Sequence, residues 1–184
     1  MKIQWRSKLQ QMVMAGVMAA LLAVMSQLSI PLPTGVPVTL QTFGVALCGF
    51  VLGPVWGALS VGVYLALGAV GLPVFAGFTG GLAAFAGMTG GYLWSFLPMA
   101  FLCGLGARRG GKLFALAMGF AGLAVCHLCG VLQFAGVTAT QPWQGFLAAS
   151  APYLLKDGIS LALAYGIGEA LLFALKRARL IGLR

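Results

Sequence analysis

Two acidic side chains, Asp157 and Glu169, serve the whole of this sequence, and one of them stands directly beside Lys156 inside an otherwise apolar tract. An ionised residue at bilayer depth costs roughly 2.5–3.5 kcal/mol on insertion scales, so such residues face protein or a cavity and mark functional sites by default. A carboxylate held there can accept N–H donors from a ligand, and an ammonium can meet an anion. On a helix starting near Ala151, with Pro152 in its first turn and Ser150 as its cap, Asp157 falls in the second turn. Tyr153, Lys156, Asp157 and Ser160 then share one broad face. Adjacent helical residues point about 100° apart, so Lys156 and Asp157 are not expected to neutralise each other without a group between or beside them. A ligand can be that group. The other reading is an interfacial pair, with Lys156 snorkelling to water and Asp157 near the positive helix start.

The second chemically suggestive feature is glycine. Gly77-Phe78-Thr79-Gly80-Gly81 and Gly87-Met88-Thr89-Gly90-Gly91 are near copies, the first preceded by Leu72-Pro73-Val74-Phe75 and the second followed by Tyr92. Each glycine disfavours helix by about 1 kcal/mol relative to alanine and lets backbone amides approach a ligand closely. Irregular backbone at membrane depth is tolerated only where it lines a cavity or is covered by protein. Gly77 with Gly81, and Gly87 with Gly91, also satisfy the small-xxx-small spacing of close helix contacts, and both readings can hold. A third segment, Ile30 to Thr42, carries Pro31, Pro33 and Pro37 and enters the next apolar tract at Gln41, which needs partners once it leaves water.

Other motifs carry less. Gly106 to Lys112 fits the letters of a phosphate-binding loop up to its lysine, but Leu113 stands where the magnesium-binding hydroxyl belongs, and an apolar tract precedes it instead of a strand. Cys126-His127-Leu128-Cys129 spaces two thiols one turn apart, yet a closed zinc site needs four ligands and His127 is the sole histidine. With no acid in its own tract to orient it, His127 reads as core packing, as do the cysteines.

The elements that position these residues follow from composition. Of 184 residues, 61% are hydrophobic and 7% charged, and the mean hydropathy is +1.02. A soluble domain cannot cover its surface with so little charge, so the bilayer is the expected solvent. A spanning helix takes about 20 apolar residues, and the tracts suggest six, over about 9–30, 38–53, 55–72, 89–106, 113–136 and 151–175. The second and third are short and parted by Gly53-Pro54, as in a tight hairpin or one broken helix. The first run continues past Leu28 without a convincing cleavage site and is expected to stay as a membrane helix. The whole chain, 1–184, reads as one integral membrane domain.

Apart from Lys156, every lysine and arginine flanks a tract at the start, at the Arg108-Arg109-Lys112 loop or at the end. With six spans these three clusters share one face, the cytoplasmic one, so both termini are expected there. The net charge of +9 then suits anionic lipid headgroups and excludes a nucleic-acid-binding surface. The glycine segment, the proline segment and the Lys156-Asp157 pair converge on the outer side. In the first tract Ala15, Ala19 and Ala23 repeat at four-residue spacing beside Gly16 and Ala20, a smooth stripe for internal packing or for a partner subunit.

These residues together resemble the BioY proteins, the substrate-binding S components of energy-coupling factor transporters for biotin. The resemblance rests on Ile30 to Pro33, Val36 to Thr42, Gly53-Pro54 with Gly57 to Ser60, Gly68 to Gly81, Thr89 to Tyr92, and Pro152 with Asp157. It implies an all-α membrane fold of six transmembrane helices with an irregular glycine-rich outer loop. It further implies capture of biotin as the transported ligand in a bacterial inner membrane, no catalytic chemistry, no cofactor, and a partner transmembrane subunit with two ATPase subunits. The alanine stripe at Ala15, Ala19 and Ala23 looks like the family's docking motif. In the implied site Asp157 takes the ureido N–H groups, Phe75 and Tyr92 wall the bicycle, and Lys156 or amides of the loop at Thr79, Gly80 and Gly81 meet the ureido oxygen or the acid tail. Gln41 and Ser160 complete the set. Ser160 stands where many members carry a lysine, and Lys156 where they carry a glycine. An ion-coupled or solitary secondary carrier is the alternative; it needs a midplane ion site, which the scarcity of acids disfavours.

Overall fold

The computed structural model of the chain describes residues 3–5, 7–33 and 35–183. Lys2, Arg6, Thr34 and Arg184, which belong to the expected charge pattern and proline segment, lie outside the described residues. A short strand, β1 (Ile3–Trp5), leads to α1 (Lys8–Gln27), whose first turn is capped where Ser7 accepts from the Gln10 N–H at 3.1 Å. A two-residue hairpin, β2 (Ser29–Ile30) with β3 (Val38–Thr39), encloses the proline segment. Then come α2 (Gln41–Leu52) and α3 (Pro54–Ala69). A 3-10 turn at Ala76–Phe78 and α4 (Ala83–Ala86) occupy the glycine-rich stretch. The chain ends with α5 (Gly90–Arg109), α6 (Lys112–Thr138), α7 (Pro142–Ala149), α8 (Leu154–Arg177) and β4 (Ile181–Leu183), and β4 pairs antiparallel with β1.

The break between α2 and α3 has a local cause. Gly53 sits at φ +83°, a conformation other residues adopt at a cost, and Pro54 supplies a first helical residue without an N–H. Arg108 closes the junction: its Nη2 donates to the carbonyl of Leu52, the last residue of α2, at 2.8 Å. The Gly106–Lys112 stretch is thus the end of one helix, a turn and the start of the next, with its arginine capping a third.

α1, α5, α6 and α8 are long and apolar enough to cross a membrane; α2 and α3, at 12 and 16 residues, are shorter than the tracts expected from hydropathy. α2 is buried almost along its whole length, packed against α1, α3, α5 and α8. The long helices instead turn large apolar residues such as Val17, Phe101, Leu128, Leu163 and Phe173 outward. Such a surface is solvated by lipid, and the protein is a membrane protein.

The alanine stripe does not face outward. Ala19 is 2% exposed and Ala15 is also buried, with Ser60 of α3 donating to the Ala15 carbonyl at 2.8 Å, while Ala23 is half-buried against the core. The small side chains let α1 lie close on α3, the internal packing that the stripe also allows. Gly16 and Ala20 occupy the exposed face. Ala19→Leu is accordingly expected to lower the stability of the isolated chain by about 1–3 kcal/mol through overpacking. Ala20→Leu leaves it unchanged. Thermal unfolding in detergent reads both.

Candidate ligand-binding site

The N-terminal ends of α2, α5 and α8 meet at one end of the bundle, opposite the end that holds Lys8, Arg108, Arg109, Lys112, Lys176 and Arg177. Between them, roofed by the β2–β3 hairpin and by the 3-10 turn at Ala76–Phe78, lies a cavity of about 460 Å³. That is within the roughly 300–1,000 Å³ usual for small-molecule sites. Its wall is mainly apolar and aromatic, including Leu32, Val36, Phe75, Tyr92 and Phe96, and its polar groups are concentrated at Asp157.

Asp157 is 4% exposed and lies in the first turn of α8, where the helix dipole favours a carboxylate. Its Oδ1 accepts from Thr42 Oγ1 of α2 at 2.5 Å and is ion-paired with Lys156 Nζ. Lys156 also donates to the Thr39 carbonyl at 2.8 Å, which ties α8 to the hairpin roof. The expectation that Lys156 and Asp157 could not neutralise each other directly fails, because the long lysine stem folds back over its neighbour. Ser150 does not cap α8 either. The helix starts at Leu154 after a turn at 151–153, so Asp157 stands in the first turn and not the second. The Ser150 hydroxyl is engaged elsewhere, 2.9 Å from His127 Nδ1 and 2.9 Å from Tyr92 Oη.

His127 is the residue that the sequence reading misplaced. It lines the cavity, with Nε2 3.4 Å from Asp157 Oδ2, so the acid that orients it comes from α8 and not from its own helix. The signal available in sequence was scarcity: in so apolar a chain the few polar groups at membrane depth must find each other. Tyr92 stands edge-on to the imidazole, ring centroids 6.0 Å apart, and donates to the Ala149 carbonyl. Among the described residues no three His, Cys, Asp or Glu side chains converge as metal ligands would.

The remaining expected residues divide. Gln41 lines the cavity, donating to Tyr64 Oη at 2.8 Å and accepting from Thr39 Oγ1 at 3.1 Å. Phe75, Thr79, Tyr92, Lys156 and Asp157 line it too, as does Thr42. Phe75 is wedged edge-on between Tyr64 and Phe85, at 5.4 and 5.6 Å. Its loop is held by Gln27, which donates to the Phe75 carbonyl at 3.1 Å and accepts from the Phe78 N–H at 3.0 Å, and by Ser26, which donates to the Val74 carbonyl. Gly80, Gly81 and Ser160 are not brought to the wall. Gly80 packs on the Leu72 carbonyl, the Gly81 N–H donates to Gly68 at 2.7 Å, and Ser160 is buried further down α8. Of the glycines in the first pentad, Gly77 is the one at the cavity. In the second, Gly90 and Gly91 serve close packing, Gly91 against the Cys129 carbonyl of α6.

Comparison with known proteins gives a consistent picture. The BioY family matches residues 1–177. A biotin transporter BioY of Thermotoga maritima is 46% identical over 124 residues, 67% of this chain and 73% of that protein. A probable biotin transporter BioY of Pyrococcus horikoshii is 38% identical over 164 residues, 89% of this chain and 97% of that protein. Among solved structures, the S-component for biotin from an ECF-type ABC transporter superposes with a TM-score of 0.81 at 28% identity, covering 89% of this chain and 91% of that one.

Proposed function

The chain belongs to the BioY family, and on that premise we propose that its cavity binds biotin and that the protein is the substrate-capturing subunit of an ECF-type transporter. One observation carries the reading: an apolar, aromatic-walled cavity closes over a single buried carboxylate flanked by an ammonium and an imidazole. Biotin is an apolar bicycle with two ureido N–H donors at one end and an anionic valerate at the other. Asp157 accepts from the ureido N–H groups, Phe75 and Tyr92 wall the bicycle, and Lys156 meets the acid tail or the ureido oxygen.

The six-crossing arrangement draws support from the two short helices. α2 runs from Gln41 and Thr42 at the cavity to Leu52 under Arg108 at the basic end, and α3 returns from Pro54 to Gly68 beside Phe75. At 1.5 Å per residue, the 12 residues of α2 span about 18 Å, less than the hydrocarbon thickness of about 30 Å. The cavity is therefore sunk into the outer leaflet, and the basic end, with both termini, faces the cytoplasm of a bacterial cell membrane. The chain is one integral membrane domain whose energy comes from a partner transmembrane subunit and two ATPase subunits.

Uptake of labelled biotin by cells unable to make or import it tests the proposal. With this chain and the partner subunits, uptake is expected to saturate and to stop when the ATPases are inactivated. No uptake from cells that display folded protein would contradict the reading, and full uptake by this chain alone would contradict the division of labour.

A further inference from the structure

The charge within the cavity is incomplete for an anionic guest. The titratable groups around it are Lys156 and Asp157 from α8, Tyr153 from the turn before it, Tyr92 from α5 and His127 from α6, with Cys126 and Cys129 on the same helix as the imidazole. Lys156 and Asp157 already neutralise each other, so a guest bearing a carboxylate brings one uncompensated negative charge into a low-dielectric space. His127 is the side chain there able to supply a positive charge near neutral pH. It is 7% exposed, and its Nε2 is buried without a well-formed hydrogen bond among the described residues, 3.4 Å from Asp157 Oδ2.

Its surroundings accept either protonation state. With a neutral ring, the Ser150 hydroxyl donates to Nδ1 at 2.9 Å and Nε2–H points at the carboxylate. With a charged ring, Nδ1–H donates to Ser150, the Ser150 hydroxyl turns to Tyr92 Oη at 2.9 Å, and Tyr92 keeps its own donation to the Ala149 carbonyl. Rotation of one hydroxyl is the whole rearrangement. The carboxylate already meets Lys156 and Thr42, so a cationic ring gains a full counter-charge only when a second anion enters.

We propose that His127 is a further binding residue of this cavity, which takes up one proton when an anionic ligand enters and so makes binding proton-linked. The inference rests on the biotin reading above. The proton leaves the buffer acid or water and rests on the imidazole; Asp157, released from Lys156 as that ammonium turns to the ligand's carboxylate, receives Nε2–H. Because a proton enters with the ligand, affinity is expected to fall as pH rises.

The test is calorimetric titration of the purified protein with biotin in buffers of different ionisation enthalpy at one pH near 7.5, which counts protons exchanged. Uptake of close to one proton per biotin is expected, with none for biotin methyl ester, whose tail is uncharged, and none for biotin with His127→Gln. Biotin binding without proton uptake overturns this inference and leaves the biotin reading standing; no biotin binding overturns both. Uptake that persists with the methyl ester or in His127→Gln assigns the proton elsewhere and also overturns it. Should His127→Gln fail to fold, the ring nitrogen resonances of 15N-labelled His127, recorded with and without biotin, decide instead: protonation of the ring on binding is expected, and a ring unchanged by biotin overturns the inference.

Discussion

Asp157→Ala is expected to weaken biotin binding by at least about thirtyfold, since removing one member of a buried, hydrogen-bonded charge pair costs about 2–5 kcal/mol. The physical cost is larger than one lost contact. Without the carboxylate, the Lys156 ammonium keeps only the Thr39 carbonyl, Thr42 loses its acceptor, and the His127 Nε2 faces no anion. The ligand loses its acceptor as well. Asp157→Asn preserves shape and one acceptor oxygen but removes the charge, so a smaller loss is expected from it. Equilibrium titration of the two variants beside the unaltered protein measures the difference. Affinity unchanged in both variants would remove Asp157 from the site.

Gly68→Leu is expected to abolish binding from a distance. A Cβ at Gly68 would occupy the space of the Phe75 ring, and Phe75 is held edge-on by Tyr64 and Phe85 while forming part of the cavity wall. A leucine there must expel the ring toward the cavity or part α3 from its loop, at about 1–3 kcal/mol of overpacking. Combining Gly68→Leu with Phe75→Ala relieves the clash, so the double variant is expected to be more stable than the sum of the single changes. Binding is not recovered, because the aromatic wall is gone. Thermal unfolding separates the two effects from a biotin titration, and additive stabilities would show that Gly68 and Phe75 do not meet.

The membrane character is legible because it is compositional, and a break at Gly53-Pro54 is legible because both residues act through their own backbone, while the choice between a hairpin and a broken helix is made by packing between the two segments. Helix length was less so. Hydropathy assigned α2 and α3 longer spans than they form, since apolar residues continue through turns such as Val70 to Val74. The site was legible where a residue is costly by itself: Asp157, Lys156 and Gln41 stand out in an apolar chain, and all three line the cavity. What could not be read was pairing between helices. His127 was dismissed for want of an acid nearby in sequence, and the acid came from α8. Ser150 was given to the wrong helix because its hydroxyl is claimed by α5 and α6 side chains. The glycines misled in a related way. Spacing alone does not separate a glycine that opens onto a ligand from one that lets two backbones touch, as Gly80 does on Leu72, or from one that supplies a turn at positive φ, as Gly81 does at +93°. The inward turn of Ala15 and Ala19 is the same lesson on α1, where a smooth stripe fits an internal neighbour as well as an external one.

The central claim is that the cavity between the N-terminal ends of α2, α5 and α8 holds biotin, with Asp157 as its acceptor. Calorimetric titration of the purified protein with biotin tests it most directly. Saturable binding of one biotin per chain is expected, lost or sharply weakened in Asp157→Ala. A folded protein that gives no binding signal with biotin, or one whose biotin affinity is indifferent to Asp157→Ala, would contradict it.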